Sequence, residues 1–333
     1  SACLVGSEMC IRDSMGNHTM RRGNGRARRI PGVIIALVLA ALAIGMGLAV
    51  FNQPFPDIWK SPMQMQRSGD VVRTTTAMTP EMQEAEREVS ALVAPYVESV
   101  AVAVVSLGED GGFSINGDER FVSASMIKLL ILAEYMQQVD AGMLDPDGIH
   151  VLDESDMVGG AGVVAGSSSG ATFTYDELAC HMIKYSDNTA ANILIDTLGM
   201  EAINHRASAL GLAQTELQRK MMHFDGDAEN YMSANDAAAL LCGIAQHGLA
   251  SDSTSEVAES YLLEQADSEG LVAGLPSSVR FGHKTGALDS VRHDGGIVYG
   301  ESPYVIVVLT SLDEAKANSL MEEISRMVYE ALE

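Results

Sequence analysis

The longest apolar stretch of the chain lies close to its N-terminus. Residues Val33–Phe51 contain no charged side chain, and they follow arginines at positions 21, 22, 26, 28 and 29. This length, close to the about 20 apolar residues that span a bilayer, predicts a membrane segment with the arginines on its cytoplasmic side. The length favours a retained signal anchor, whereas the small-x-small pattern Gly47-Leu48-Ala49 leaves cleavage and secretion open. Either way, the sequence after Phe51 is expected outside the cytoplasm.

The segments around that stretch lack the patterning of a folded domain. Residues 1–14 resemble translated adapter sequence rather than native protein, so Met15 or Met20 is the expected start. Residues 15–51 comprise the basic N-region and the membrane anchor or signal. Residues 52–78 contain several Pro, Ser and Thr residues without apolar periodicity, which predicts a linker. The folded domain is expected to cover residues 79–333.

Strand and helix patterns follow one another in a definite order through residues 79–333. Thr79-Pro80-Glu81 is a helix-start signature, and the valine-rich segment 97–106 is typical of a strand buried on both faces. In order, the predicted elements are helix 80–94, strands 97–106 and 113–116, helices between 125 and 246, strands 279–288, 296–299 and 304–312, and helix 313–332. Strands at both ends with helices between them predict an α+β fold, in which an antiparallel sheet is flanked by helices and joined by an all-helical lobe.

Charge and cysteine content exclude several classes of function. The chain has 45 acidic and 21 basic residues, and 6 of the basic residues precede residue 52. Because such an acidic domain repels nucleic acid and anionic lipid headgroups, neither is expected to bind it. No C-x-x-C or H-E-x-x-H spacing occurs, and Cys180 and Cys242 lie in apolar helical patterns that predict buried free thiols. No metal and no cofactor is expected.

Candidate chemistry begins at a helix that starts near Ser125. Ser125 and Lys128 stand three residues apart, so they share one helix face and the lysine amine reaches the serine hydroxyl. The apolar run Leu129–Leu132 predicts that this helix is buried. A lysine in dry surroundings has a lowered pKa, and its neutral amine can take a proton from serine. The alternative is an N-capping serine followed by an ordinary lysine.

Two further motifs follow downstream. Ser186-Asp187-Asn188 comes after a predicted helix at 175–184, and Lys284-Thr285-Gly286 lies in a late strand. Together with Ser125 and Lys128, they reproduce in order the S-x-x-K, S-D-N and K-T-G motifs of class A β-lactamases and penicillin-binding proteins. The stretch from about residue 81 to residue 333 resembles the catalytic domain of that family.

The resemblance implies a catalytic role for three side chains. Ser125 would attack the lactam or peptide carbonyl, and Lys128 would help to remove its proton. Ser186 would relay a proton to the departing nitrogen.

The resemblance also implies four contacts with the substrate. Asn188 would hold the substrate amide, and Lys284 and Thr285 would grip the substrate carboxylate. The backbone N–H groups of Ser125 and Ala287 would form the oxyanion hole.

Two features of the family are missing from the sequence. Class A β-lactamases carry an E-x-x-L-N loop whose glutamate activates the water that releases the acyl-enzyme, and residues 217–230 contain no such motif. The acids of this stretch that could replace that glutamate are Asp225, Asp227 and Glu229. The arginine expected after the K-T-G strand is not evident either, although Arg292 and His293 lie nearby.

The expected function is therefore that of a serine hydrolase of the class A β-lactamase family, which forms an acyl-enzyme with β-lactams. The missing loop glutamate leaves the rate of turnover open. One alternative is a peptidase or esterase that acts on the D-Ala peptide of the cell wall, and another is a β-lactam sensor that is acylated without release. The expected location is the cell membrane, with a single span and an extracytoplasmic catalytic domain, or alternatively the secreted state.

Overall fold

The computed structural model describes residues 71–73, 78–108, 110–224 and 226–333. The adapter-like residues 1–14, the basic and apolar segment 15–51 and most of the predicted linker 52–78 lie outside the described residues. Within the described part, none of the helices combines the length and the apolar character that a membrane span requires.

The described residues form strands and helices in the order expected of an α+β chain. The strands are β1 (Val71–Arg73), β2 (Val100–Ser106), β3 (Gly112–Ile115), β4 (Phe121–Val122), β5 (Ile149–Val151), β6 (Thr172–Thr174), β7 (Tyr231–Met232), β8 (Arg280–Leu288), β9 (Val291–Tyr299) and β10 (Tyr304–Thr310). The α-helices are α1 (Pro80–Val93), α2 (Lys128–Asp140), α3 (Tyr175–Lys184), α4 (Asn188–Leu198), α5 (Met200–Ala209), α6 (Ala234–Ala245), α7 (Asp252–Leu263) and α8 (Glu314–Leu332).

A six-stranded antiparallel sheet joins the two ends of the described chain. Its strand order is β1-β3-β2-β10-β9-β8, so the C-terminal strand β10 lies between β2 and β9. Strand β10 pairs with β2 over seven positions, from Tyr304 opposite Ser106 to Thr310 opposite Val100. The predicted α+β fold with an antiparallel sheet is confirmed.

The two faces of the sheet pack against different sets of helices. Along β10, Ile306 and Val308 face the cluster built with α1 and α8, whereas Val305 and Val307 face the helical lobe. This alternation follows from the period of two residues in a strand. In the lobe, α2 is the central helix, and the predicted burial of Leu129–Leu132 is confirmed because these residues are fully buried.

Helix ends follow local chemistry that the sequence shows. The Thr79 hydroxyl accepts a hydrogen bond from the Met82 N–H at 3.2 Å, and Pro80 occupies the first turn. Asp313 caps α8 in the same way, by accepting from the Lys316 N–H at 3.1 Å. The predicted starts of both helices are confirmed to within one residue.

Two strands begin several residues away from their predicted starts, and one strand was not predicted. Strand β2 begins at Val100 rather than at residue 97, because a 3₁₀ turn at Ala94–Tyr96 follows α1. Strand β9 begins at Val291 rather than at residue 296, since its first half carries polar side chains that are nevertheless buried. Strand β1 lies in the predicted linker and pairs with β3; three residues are too few to show a pattern.

The helix predicted from Ser125 begins as a 3₁₀ turn. This turn covers Ala124–Ile127, and α2 takes over at Lys128. In a 3₁₀ turn the side chains at i and i+3 are eclipsed, so the turn places the Lys128 side chain over that of Ser125. Both cysteines of the described chain are free thiols, as predicted. Cys242 is buried, whereas Cys180 is only half-buried, so the burial predicted for Cys180 is wrong.

A glycine at the junction of a 3₁₀ turn and α8 provides a test of this packing. A Cβ on Gly274 would overlap the Glu322 carbonyl oxygen and lie 2.9 Å from the Arg326 nitrogen, both of which are backbone atoms of α8. We expect Gly274→Ala to lower the free energy of unfolding by about 1–3 kcal/mol, measured by thermal unfolding. Gly166→Ala is the matched control, since a Cβ there meets nothing within 4 Å. Equal melting temperatures for the two variants would contradict the packing.

Candidate active site

One cavity between the sheet and the helical lobe is lined by Ser125, by Asn188 and by Ala287, which directly follows the K-T-G motif. Ser125 lies in the turn before α2, Ser186 lies between α3 and α4, and Lys284 lies on β8. The cavity has a volume of about 270 Å³. Its lining includes Ser125, Asn188, Arg219, Met221, Met222, Phe224, Glu229 and Ala287. The sequence singled out Ser125, Asn188 and Ala287 as site residues, and all three line the same cavity.

The Lys128 amine is the centre of the hydrogen-bond network. Its Nζ donates to Ser125 Oγ at 3.1 Å, to the Ser186 carbonyl oxygen at 2.6 Å and to Asn188 Oδ1 at 2.8 Å. The side chain is fully buried. Burial lowers the pKa of Lys128 well below its ordinary value, the neighbouring Lys284 lowers it further, and Asp187 opposes both effects. A lysine with a lowered pKa beside a serine hydroxyl is suited to remove its proton.

A second buried lysine contacts the same turn from the sheet. Lys284 Nζ donates to Ser186 Oγ at 3.0 Å and to the Thr285 carbonyl oxygen at 2.5 Å. Burial lowers the pKa of Lys284 to about 7, against the opposing attraction of Asp294 and Asp267. Ser186 Oγ also lies 3.4 Å from Lys128 Nζ, so this hydroxyl bridges the two amines. The bridge provides a route for a proton between Lys128 and Ser186.

Backbone strain is concentrated around the cavity. Among the described residues, few other than glycine have a positive φ, and three of these are Ala124 (φ 45°), Ser186 (φ 52°) and Met222 (φ 64°). Ala124 precedes Ser125, Ser186 is itself a motif residue, and Met222 lines the cavity. Such conformations cost on the order of 1–3 kcal/mol and persist only where surrounding contacts impose them. The contacts of Lys128 with Ser186 are of this kind.

Asp187 holds the Ser-Asp-Asn turn in place. Its Oδ2 accepts from the Val163 and Val164 N–H groups at 2.6 and 2.8 Å, and its Oδ1 accepts from the Ala190 N–H at 2.9 Å. The same carboxylate therefore caps α4 and anchors the loop before residue 165. Because backbone N–H groups occupy both of its carboxylate oxygens, Asp187 serves to position Ser186 rather than to exchange protons with a substrate.

The loop at residues 217–230 has a methionine clamped beside the cavity. Asn192 on α4 donates through Nδ2 to the Met221 carbonyl oxygen at 3.0 Å and accepts from the Met221 N–H at 2.7 Å. The Met221 side chain is buried. Sequence reasoning missed Asn192, although a polar residue in the apolar face of α4 was the available signal.

Of the three acids that could replace the loop glutamate, Asp225, Asp227 and Glu229, only Glu229 lines the cavity within the described residues. Glu229 lines the cavity, but Arg219 Nη2 donates to both of its carboxylate oxygens at 3.0 Å. Asp227 is exposed, and Asp225 lies outside the described residues. Within the described chain, no group of three His, Cys, Asp or Glu side chains is placed to hold a metal ion.

Arg292, one of the two residues that the sequence places near the K-T-G strand, lies on β9. Arg292 lies opposite Ala287 in the β8–β9 ladder, and its Nη1 donates to Asp267 Oδ2 at 2.8 Å. Thr285 lies close enough to the Asp267 carboxylate to help to lower its pKa. Arg292 is thus connected to Thr285 through Asp267, a residue that carries no motif signal and that sequence reasoning missed.

His293, the other candidate at this position, is a structural residue. Burial lowers its pKa to about 4, so the ring is neutral at neutral pH. Its Nδ1 accepts from the Thr310 N–H at 3.0 Å, and its Nε2 therefore donates to the Val122 carbonyl oxygen at 2.8 Å. His293 ties the sheet to the strand that leads into Ser125.

The buried charge of Lys284 predicts a pH-dependent cost in stability. Between about pH 7, where folded Lys284 titrates, and its unfolded pKa of about 10.5, the unfolded chain binds more protons, so stability rises with pH. We expect Lys284→Met to raise the free energy of unfolding on the order of 1–3 kcal/mol at pH 6, with the gain shrinking towards pH 10. Melting temperatures across this range measure it.

The control for this substitution is Lys316→Met, which changes an exposed lysine of α8. A gain at Lys284 that stays constant from pH 6 to pH 10, or one that Lys316→Met reproduces, would contradict the assignment of the cost to the buried ammonium.

Comparison with known proteins agrees with the fold. The model of the β-lactamase enzyme family matches residues 84–332. A β-lactamase of Streptomyces albus G is 25% identical over 266 residues, which is 75% of this chain and 85% of that protein. β-Lactamase AER-1 of Aeromonas hydrophila is 28% identical over 205 residues, which is 59% of this chain and 64% of that protein.

Solved structures extend the likeness to three dimensions. A β-lactamase of Sphaerobacter thermophilus has a TM-score of 0.69 at 27% identity and covers 75% of this chain and 97% of its own. A mutant of PBP-A, solved as an acyl-enzyme complex with penicillin G, has a TM-score of 0.70 at 26% identity and covers 76% of this chain and 98% of its own. The match of the family model over most of the chain shows that this protein belongs to the β-lactamase enzyme family and is a serine hydrolase.

Proposed function

We propose that Ser125 forms an acyl-enzyme with β-lactams and that this acyl-enzyme is released slowly, so that the chain acts as a penicillin-binding serine enzyme. The observation that carries the proposal is the 3.1 Å contact between Ser125 Oγ and the buried Lys128 amine. The penicillin G acyl-enzyme of the structurally similar PBP-A mutant supports the choice of β-lactams as acyl donors.

Acylation uses the lowered pKa of Lys128. Ser125 Oγ attacks the carbonyl carbon of the lactam while its proton passes to the neutral Lys128 amine. The negative charge that develops on the carbonyl oxygen is stabilised by the backbone N–H groups of Ser125 and Ala287. Both of these residues line the cavity, as this assignment requires.

Departure of the lactam nitrogen uses Ser186. The C–N bond breaks as the nitrogen takes a proton from Ser186 Oγ, and Ser186 regains a proton from the Lys128 ammonium. This exchange follows the contacts of Ser186 Oγ with the two lysine amines, and it returns Lys128 to its neutral form. The products of the step are an ester on Ser125 and an opened lactam ring.

Release of the ester requires a base that activates water, and the loop provides a poor one. Met221, which Asn192 clamps beside the cavity, carries a thioether that cannot accept a proton at neutral pH. Both carboxylate oxygens of Glu229 already accept hydrogen bonds from the Arg219 guanidinium, so the side chain is engaged away from a water molecule. Slow release follows from both features.

A second candidate is an efficient β-lactamase in which Glu229 activates the water. The position of Glu229 on the cavity lining favours it. The natural acyl donor proposed for either enzyme is a cell-wall peptide ending in D-Ala. The basic and apolar segment at residues 15–51 supports an extracytoplasmic location, anchored in the membrane or secreted.

Intact-mass spectrometry of the full chain with excess penicillin G tests the proposal. We expect the mass to rise by that of one penicillin within minutes and to stay raised for hours, with the adduct mapped to Ser125 and absent in Ser125→Ala. A transient adduct with accumulating opened penicillin would contradict slow release and favour the second candidate. A chain that forms no adduct and opens no lactam would overturn both candidates.

Substitution of the clamped methionine tests why release is slow. We expect Met221→Glu to speed release of the acyl group on the order of 10²-fold, because a carboxylate at this position supplies the missing base. The measurement is the loss of adduct mass after removal of free penicillin. Met222→Glu is the matched control, since Met222 lines the same cavity but is exposed and is not clamped by Asn192. Equal lifetimes in the parent and both variants would refute the role of Met221.

A further inference from the structure

A carboxylate of the chain itself, that of Asp267, binds Arg292 and lies next to Thr285, the residue that the resemblance assigns to the substrate carboxylate. We propose that Asp267 determines specificity: it occupies Thr285 and Arg292, so a substrate carboxylate must displace it, and acyl donors that are uncharged at this position react at a relative advantage. The proposal rests on acylation at Ser125 as the function of the site.

The contacts of Asp267 are those that a bound carboxylate ligand would make. Oδ2 accepts from Arg292 Nη1 at 2.8 Å, and Oδ1 accepts from the Glu269 N–H at 3.1 Å. Thr285 lies beside the same carboxylate and helps to lower its pKa. Burial alone would raise the pKa of Asp267, but the hydrogen bond from Arg292 lowers it below its ordinary value, so the group is ionised at neutral pH.

The exposed fractions of the Arg292 and Asp267 side chains indicate which of the two a substrate carboxylate would meet first. The Arg292 side chain is only 5% exposed, whereas that of Asp267 is 25% exposed. Arg292 Nε is also held by Asn318 Oδ1 at 2.8 Å, so the guanidinium is fixed from behind. An incoming carboxylate therefore reaches Thr285 and Arg292 only by moving Asp267 aside.

The loop that carries Asp267 is fastened to the catalytic turn. The Ala266 N–H donates to the Lys184 carbonyl oxygen at 3.0 Å, and Gln265 Nε2 donates to the Ile183 carbonyl oxygen at 2.9 Å. Both acceptors lie in the last two residues of α3, and only Tyr185 separates this helix from Ser186. These two hydrogen bonds hold Asp267 beside the motif residues, and Thr285 is two residues from Ala287, which lines the cavity.

Two acidic side chains, Asp267 and Asp294, already offset the positive charges of Lys284 and Arg292. Lys284 is attracted by Asp294 and Asp267, and Arg292 forms its ion pair with Asp267. Asp294 is itself held by His283 Nδ1 at 2.9 Å and by the Leu271 N–H at 2.9 Å. A substrate carboxylate would add a further negative charge next to Asp267, and such like-charge contacts are unfavourable. An uncharged group carries no such penalty.

Paired acyl donors that differ only in this charge test the proposal. Second-order rate constants for acylation of the full chain are measured by intact mass with penicillin G and with its methyl ester. We expect Asp267→Asn to raise the ratio of the acid to the ester about tenfold. Because the ratio is taken on one sample, the fraction of inactive protein cancels. Asp267→Glu, which keeps the charge, is expected to leave the ratio close to that of the parent.

Asp289→Asn is the matched control, because Asp289 lines the cavity and loses the same charge without contacting Thr285 or Arg292. If Asp267→Asn does not fold in thermal unfolding, Asp267→Ser supplies a second uncharged variant. A ratio that changes less than about twofold in the uncharged variant, or by an equal factor in Asp289→Asn, would overturn the proposal. A parent chain that neither compound acylates would instead show that the proposed function fails.

Discussion

Burial of the Lys128 amine is the constraint on which the rest of the site depends. A lysine removed from water needs acceptors for its N–H groups, and Ser125, the Ser186 carbonyl and Asn188 supply them. These acceptors come from two separate segments, so the helical lobe must close around α2 before the amine is satisfied. The pKa that makes Lys128 useful is a consequence of that closure.

The strain at Ala124 and Ser186 belongs to the same arrangement. Both residues have positive φ values, and both present groups to the cavity or to Lys128. Neither turn has glycine at the strained position, so both conformations cost free energy. The packing of α2 and the hydrogen bonds of Asp187 offset this cost. Favourable packing in the core thus offsets the free-energy cost of the strained backbone at the site.

The sequence predicted those parts of the site that local motifs carry. Ser125 and Lys128 are three residues apart, and the sheet was visible from valine-rich segments, so both could be predicted. Asp267 and Asn192 could not, because their partners, Arg292 and Met221, are determined by how distant segments pack. The early start of β9 was missed for the same reason: its polar side chains are buried only because partners from other elements reach them.

The position of β10 has a consequence for how the chain becomes active. This strand lies between β2 and β9, yet it is among the last elements of the sequence. During synthesis one edge of the β2–β3 hairpin therefore stays unpaired until β10 has been made, near the end of the chain. Pairing between segments so far apart in sequence slows folding. The exposed edge of β2 is open to pairing with other chains during that interval. Protection of a nascent valine-rich edge is thus a requirement imposed by the topology itself.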